Sequence, residues 1–254
     1  MLELKLKGTT SRALPQASPD TAENDITISR YGDLKVTSMI PTKHMLADEG
    51  SYFIGTNSTP GTALAYALTT GFSDTTPFIY MYNQSRPADQ ASKRIHLDYI
   101  KIIVTTAPAS STQAYFAIKL DTALRSLTTD NTTTLTAVSP NMDIGVASQA
   151  LLKAQNSATA SVIAAASNTA RVVARGCFGG LPVVGDELVI TSGSPDIGSY
   201  SGLTAAQATC PGRKCSNCPP IVLGPGNSMA VHLWFPANAT TALSYELEMG
   251  WWER

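Results

Sequence analysis

Charge is the scarcest resource in this chain. Charged residues make up 15% of the 254 positions, against about 25% in an average globular protein. The 18 basic and 19 acidic residues leave a net charge of −1, and they form no basic stripe. A nucleic-acid surface works by displacing counterions with Lys and Arg, so direct nucleic-acid binding is not expected. No polybasic segment faces an anionic membrane, and no run of 18 apolar residues spans one. The opening residues MLELKLKG lack an apolar stretch, so no secretory signal is expected. The Asn-x-Ser/Thr triplets at Asn57, Asn83, Asn131 and Asn238 are therefore read as products of a Ser/Thr-rich composition and not as glycosylation sites.

Motifs for chemistry are equally sparse. The three histidines, His44, His96 and His232, stand far apart, without the spacing of a chelating pair. There is no nucleophile elbow, no phosphate-binding loop and no dinucleotide fingerprint. The glycine-rich GCFGGLPVVG at 176–185 has no helix pattern after it, so its glycines are assigned to turns or a bulge. Glu246 and Glu248 share one face of a strand pattern, and neighbouring carboxylates there are ordinarily solvated or paired across strands. Asp48 and Glu49 do not by themselves supply the several oxygen ligands a hard cation needs. No catalytic residues and no enzymatic activity are expected.

What is present is β structure. Candidate strands are 34–40, 52–56, 62–68, 78–82, 96–105, 113–120, 134–138, 161–166, 170–177, 187–191, 229–235 and 243–251. In the last, Leu243, Tyr245, Leu247, Met249 and Trp251 alternate with Ser244, Glu246, Glu248 and Gly250, which gives one core face and one outward face. By the same alternation Trp252 falls on the outward face with Glu246 and Glu248, while Trp234 and Trp251 are assigned to the core. The stretch IHLDYIKIIVTT is apolar on both faces: Ile100, Ile102 and Val104 on one, Ile95, Leu97, Tyr99 and Ile103 on the other. Such a strand is expected at the centre of a sandwich. The short APASST linker suggests a meander pair with QAYFAIKLD. Only 141–156 has helical spacing, through Ile144, Ala147, Ala150, Leu151 and Ala154. One helix among a dozen strands excludes an alternating βαβ architecture. The expected fold is all-β: a jelly-roll-like β-sandwich over 31–254, with an extended N-terminal arm over 1–30 and at most one short helix. Leu2, Leu4 and Leu6 alternate in that arm, which suits addition of a strand to a sheet edge.

The sharpest local feature is TCPGRKCSNCPP, with Cys210, Cys215 and Cys218 in one tight, knuckle-like loop and Cys177 upstream. Four thiolates suit tetrahedral zinc, and the same four could form disulfides in an oxidising medium. Free thiols and an iron–sulfur cluster complete the alternatives. Apart from zinc, no cofactor is expected.

The closing segment, PPIVLGPGNSMAVHLWFPANATTALSYELEMGWWER, resembles the last two strands of jelly-roll decoration (cement) or capsid proteins of bacteriophages. A Gly-Pro-Gly turn leads into an alternating strand, then a Pro-Ala-Asn loop, then a final strand. The resemblance implies a virion structural protein assembled in the host cytoplasm, a homo-oligomer (a trimer) bound to a capsid lattice, with Trp252 and the arm leucines as interface candidates. Two alternatives stand beside it: the main shell-forming capsid protein, and a carbohydrate-binding attachment module using Tyr80, Tyr82, Tyr99 and Tyr115.

Overall fold

The computed structural model describes residues 42–57, 59–86, 92–108, 113–127, 132–143, 145–157, 159, 163–179, 182–193, 213–236 and 242–254. The arm 1–30 with Leu2, Leu4 and Leu6, the strand expected at 34–40, and Cys210 lie outside them. The described elements are α1 (Thr42–Asp48), β1 (Tyr52–Thr56), β2 (Leu64–Tyr66), β3 (Ile79–Asn83), β4 (Ile95–Thr106), β5 (Tyr115–Asp121) and β6 (Thr132–Leu135). These are followed by β7 (Ala137–Val138), β8 (Ala150–Gln155), β9 (Arg171–Cys177), β10 (Glu187–Ser192), β11 (Arg213–Cys218), β12 (Val222–Leu223), β13 (Ser228–Trp234) and β14 (Leu243–Glu253).

Two sheets form the all-β sandwich expected from the sequence. The first runs β11-β10-β4-β14-β1-β7, with β12 on β4 and β2 on β14; the second runs β6-β8-β3-β13-β5-β9. All these pairs are antiparallel except β10 with β11. The inward faces meet in one core. Leu243, Tyr245, Leu247, Met249 and Trp251 of β14 are all buried in it, opposite Met229, Val231 and Leu233 of β13 and Phe116 and Ile118 of β5. Burying each such side chain contributes about 1.5–3 kcal/mol.

The two-faced pattern of β4 has a specific cause. Gly250 pairs with Tyr99 but Trp251 pairs with Leu97, so Asp98 is an extra, bulged residue. A bulge reverses the facing of everything beyond it. Ile95 and Leu97 therefore enter the same core as Ile100, Ile102 and Val104, and Asp98 is re-aimed outward beside Tyr99.

Core tyrosines tie the sheets together. The Tyr245 hydroxyl donates to the Gln155 carbonyl of β8 at 2.6 Å, and the Tyr66 hydroxyl donates to the Leu233 carbonyl of β13. Both rings pack on Phe78, at 4.5 and 4.8 Å.

Four local expectations are corrected. The stretch 141–156 is not a helix: Asn141 accepts the Asp143 amide in a cap-like turn, but Ala150–Gln155 is β8, paired with β3 and β6. Alanine favours helix only weakly, and the backbone edge of β3 together with burial of Leu152 and Ala154 overrides it. The helix is instead α1, closed by Gly50 at φ 67°. β4 and β5 are no meander pair. Both edges of β4 are taken by β14 and β10, and both edges of β5 by β13 and β9, so the two strands belong to different sheets. The described part of 161–166 is irregular and lies over the second sheet, with the Ile163 amide donating to the Thr75 carbonyl at 2.8 Å. The fourth, at 213–218, concerns the cysteines and is taken up below.

The sheets pack closely at Gly55. A Cβ there would stand 2.4 Å from Leu152 Cδ2 of the opposite sheet and 3.2 Å from the Trp251 ring. Gly55→Val is expected to lower unfolding stability by about 1–3 kcal/mol through overpacking, read as a reduced urea midpoint with an unchanged m-value.

Candidate functional site

With the inward faces closed, the surfaces available for recognition are the outward faces and edges. On the first sheet, adjacent β4, β14 and β1 carry an ordered polar ladder. The bulge presents Asp98 to the Tyr52 hydroxyl, which donates to Oδ2 at 2.8 Å, while Lys43 of α1 reaches Oδ1 at 2.8 Å. One position along, the Tyr99 hydroxyl donates to Glu248 Oε1 at 2.7 Å and Lys101 pairs with Oε2 at 2.8 Å. Both rings lie over Gly250, where a Cβ would come within 2.5 Å of Tyr99 and 2.6 Å of the Tyr52 hydroxyl. Burial, reinforced by Asp98, raises the Tyr52 pKa; burial, reinforced by Glu248, raises that of Tyr99. Both hydroxyls therefore remain donors across the physiological range. Burial pushes the Glu248 carboxyl up, but Lys101 and Tyr99 outweigh it and hold it below its usual value. Glu246 accepts the Gly61 amide at 2.9 Å. The two carboxylates of this strand face are thus held in separate structural contacts.

Trp252 occupies the outward face, as the alternation of β14 requires. It is half-buried and stacks on His96 of the neighbouring strand, with ring centroids 5.3 Å apart and planes 3° from parallel. Val222, paired opposite His96, is 41% exposed. Burial, with Arg94 and Arg254 nearby, lowers the His96 pKa, so the stack is between neutral rings at pH 7. Trp251 is in the core as expected. Trp234 is not: it faces outward from β13, packed against Tyr115 at 6.0 Å and Phe72 at 5.9 Å. In β13 the core positions are Met229, Val231 and Leu233, so the even-numbered Trp234 falls on the other side.

The tyrosines proposed as a sugar platform do not share one open face. Tyr99 is on the first sheet and bonded to Glu248. Tyr80 is buried on the second sheet, where its hydroxyl accepts the Arg125 amide at 2.7 Å, and Tyr82 packs beside it against the cluster with Ile163 and Ala230. Tyr115 is engaged by Trp234.

The cysteine segment is a strand rather than a knuckle-like loop. Arg213–Cys218 pairs in parallel with β10 over its full length. It has no apolar alternation, so backbone pairing with β10 is what defines it. Residues three apart on a strand point to opposite faces. Cys218 lies in the core, and Cys215 faces outward in register with Val189. Cys177, on the second sheet, is exposed. The structure thus keeps the three described cysteines on separate faces. Among the described residues no group of three or more His, Cys, Asp or Glu could hold a metal ion, and Cys210 lies outside them.

Two of the sequons prove to be structural. Asn83 is buried and donates to the Lys93 and Leu223 carbonyls at 2.8 and 3.0 Å. Asn57 fills the gap between β1 and β2, accepting the Leu247 amide at 3.2 Å while donating to the Thr62 carbonyl at 3.0 Å. Sequence reasoning did not anticipate Glu253 or Arg125. Glu253 ends the core-facing row of β14, where it accepts from Trp251 Nε1 at 3.1 Å and the Gln149 amide at 3.0 Å. The continued alternation from Leu243 was the signal that places it there.

Compared with known proteins, the chain matches no family model, no curated protein sequence and no solved structure.

Burial raises the Cys218 thiol pKa to about 11, and the thiolate is the reactive form. Alkylation of the native protein at pH 8 should modify exposed Cys177 at least tenfold faster than Cys218. Peptide mass spectrometry checks this, with Cys218 reacting fully only after unfolding.

Proposed function

We propose that this chain is a virion structural protein of a bacterial virus, acting as a decoration or cement subunit that stabilises a capsid shell through homo-oligomeric, trimeric contacts. The observation that carries this reading is the strand order. Within the first sheet, β10-β4-β14-β1 form a contiguous antiparallel block, and within the second, β3-β13-β5-β9 form another. In chain order these eight strands switch sheets at every step except from β5 to β9, which supports reading the sandwich as a jelly roll, the architecture of two Greek keys used by viral capsid and lectin domains. Of the remaining strands, β11 and β7 extend the edges of the first block and β8 and β6 one edge of the second, while β12 and β2 pair with β4 and β14.

Further support comes from the outward face of the first sheet. Four of its charges pair off, Lys43 with Asp98 and Lys101 with Glu248, and Trp252 and exposed Val222 flank His96 on its two sides. Aromatic residues flanked by satisfied polar groups are typical of the centre of a protein–protein contact. The dispersal of Tyr80, Tyr82, Tyr99 and Tyr115 favours an assembly role over a lectin-like one. The sparse charge of the chain fits a surface covered by neighbours and gives no footing for genomic nucleic acid, which favours decoration over the main shell.

Light scattering of the purified chain should give a trimer, and cryo-electron microscopy of the particle should show it seated on a lattice of a different protein. Trp252→Ala should weaken lattice binding by about 30-fold or more, as for a central aromatic anchor, while lowering the unfolding free energy by about 1–3 kcal/mol for the lost stack and its half-buried area. A monomer that binds glycans would overturn the reading. A closed shell formed by this chain alone would replace decoration with the main capsid role.

A further inference from the structure

His232 has no part in the core or in the proposed assembly face. It points outward from β13, between the inward-facing Val231 and Leu233, and yet is only 1% exposed. The strap 72–76 roofs it, with the Phe72 ring 4.9 Å from the imidazole. Neither ring nitrogen has a hydrogen-bond partner among the described residues, and the Thr76 hydroxyl of the same strap is buried and equally unpartnered. Buried polar groups are nearly always satisfied, so a site holding two orphans is poised against itself.

The roof is laced down by charge. Lys119 of β5 donates to Asp74 Oδ1 at 2.6 Å; Arg125 donates to Asp74 Oδ2 at 2.9 Å and to its carbonyl at 2.8 Å. A second strap, 163–167, is joined in: Arg125 Nε donates to the Ala164 carbonyl at 2.8 Å, and the Ala166 amide donates to Asp74 Oδ2 at 3.1 Å. Asp121, two positions from Lys119, lies 3.9 Å from Arg125 Nε and accepts from the Ser167 amide at 2.9 Å. On β9, Arg175 stands across Ala117 from His232. The charged groups around the imidazole are therefore Asp74 and Asp121 against Lys119, Arg125 and Arg175. Both Asp74 oxygens are already committed to cations.

We propose that the strap 72–76 is an acid-operated latch: protonation of His232 releases it from the second sheet and uncovers the outward face carrying Trp234 and Tyr115. A charged imidazole beneath the strap would place a third cation against Asp74, beside Lys119 and Arg125, and would be buried away from water with the Thr76 backbone as its nearby acceptor. Opening the strap hydrates the ring and relieves both. This inference does not depend on the proposed virion role.

The direction of the pH dependence follows from the ring's surroundings. Burial is the main cause that lowers the His232 pKa, to about 4; Arg125 and Lys119 add to it, while Asp74 and the Thr76 backbone oppose it. Above the ordinary value of about 6.5 the ring is neutral whether the strap is closed or open, so pH has no effect. Between about 6.5 and 4 the open form takes up the proton first, and the closed form loses ground. Burial pushes Asp74 up, but Lys119, Arg125 and the Ala166 amide outweigh it and hold it below its usual value. As pH falls, His232 therefore responds before the lacing carboxylate does.

Hydrogen exchange of the full chain, corrected for intrinsic rates, tests the latch. Between pH 6.5 and 4 the opening equilibrium of segment 72–76 should rise by about two orders of magnitude, with β14 still protected. The variant His232→Gln should lose most of that rise. An identical rise in both proteins, or none in the native chain, would overturn the proposal. Should the variant not fold, an NMR titration of the native His232 ring decides. A midpoint well below 6.5, with Phe72 and Trp234 resonances moving together with it, supports the latch, and an ordinary midpoint defeats it.

Discussion

The whole sandwich depends on one long ladder, in which the terminal strand β14 is inserted between β1 and β4. It joins Leu243–Glu253 to Ile95–Thr106, segments roughly 150 residues apart along the chain. Nothing local can form it, because the loop-closure entropy must be met before its contacts exist. Once formed, it supplies the central row of the core and sets the facing of both neighbours. The bulge at Asp98 follows from this ladder: it keeps Ile95 and Leu97 in the core and turns Asp98 toward Tyr52 and Lys43.

The two outward faces are finished differently. The first sheet keeps an open face of paired charges with an aromatic stack at one end. The second is roofed by straps that Asp74 and Arg125 lace together, over a histidine that the lacing does not satisfy. One face is thereby suited to a stable contact. The other holds a polar interior whose protonation is opposed by its own neighbours, as expected where a buried group lacks a partner.

Strands with strong alternation were legible before any fold was known. β14, β13, β5 and β10 all appear close to their expected bounds, because period-two burial is written directly in side-chain type. The outward placement of Trp252 was legible for the same reason. Elements that exist through pairing alone were not. β11 contains no apolar row and exists because β10 offers it an edge; β8 looks helical by its alanines and is a strand because β3 has an open side. The apparent partnership of β4 with β5 rested on a short linker, and it failed because better partners filled every edge.

The sequence by itself determined the all-β class, the core face of the final strand and the poverty of charge, since each is a property of residue type and local spacing. Only the tertiary structure decided that the cysteines of 213–218 face opposite sides of a strand, that Trp234 points outward, and that His232 is buried beneath Asp74 and Phe72. Those outcomes turn on register, bulges and which segments roof a sheet. They are set by contacts between residues far apart in the chain, and no local pattern encodes them.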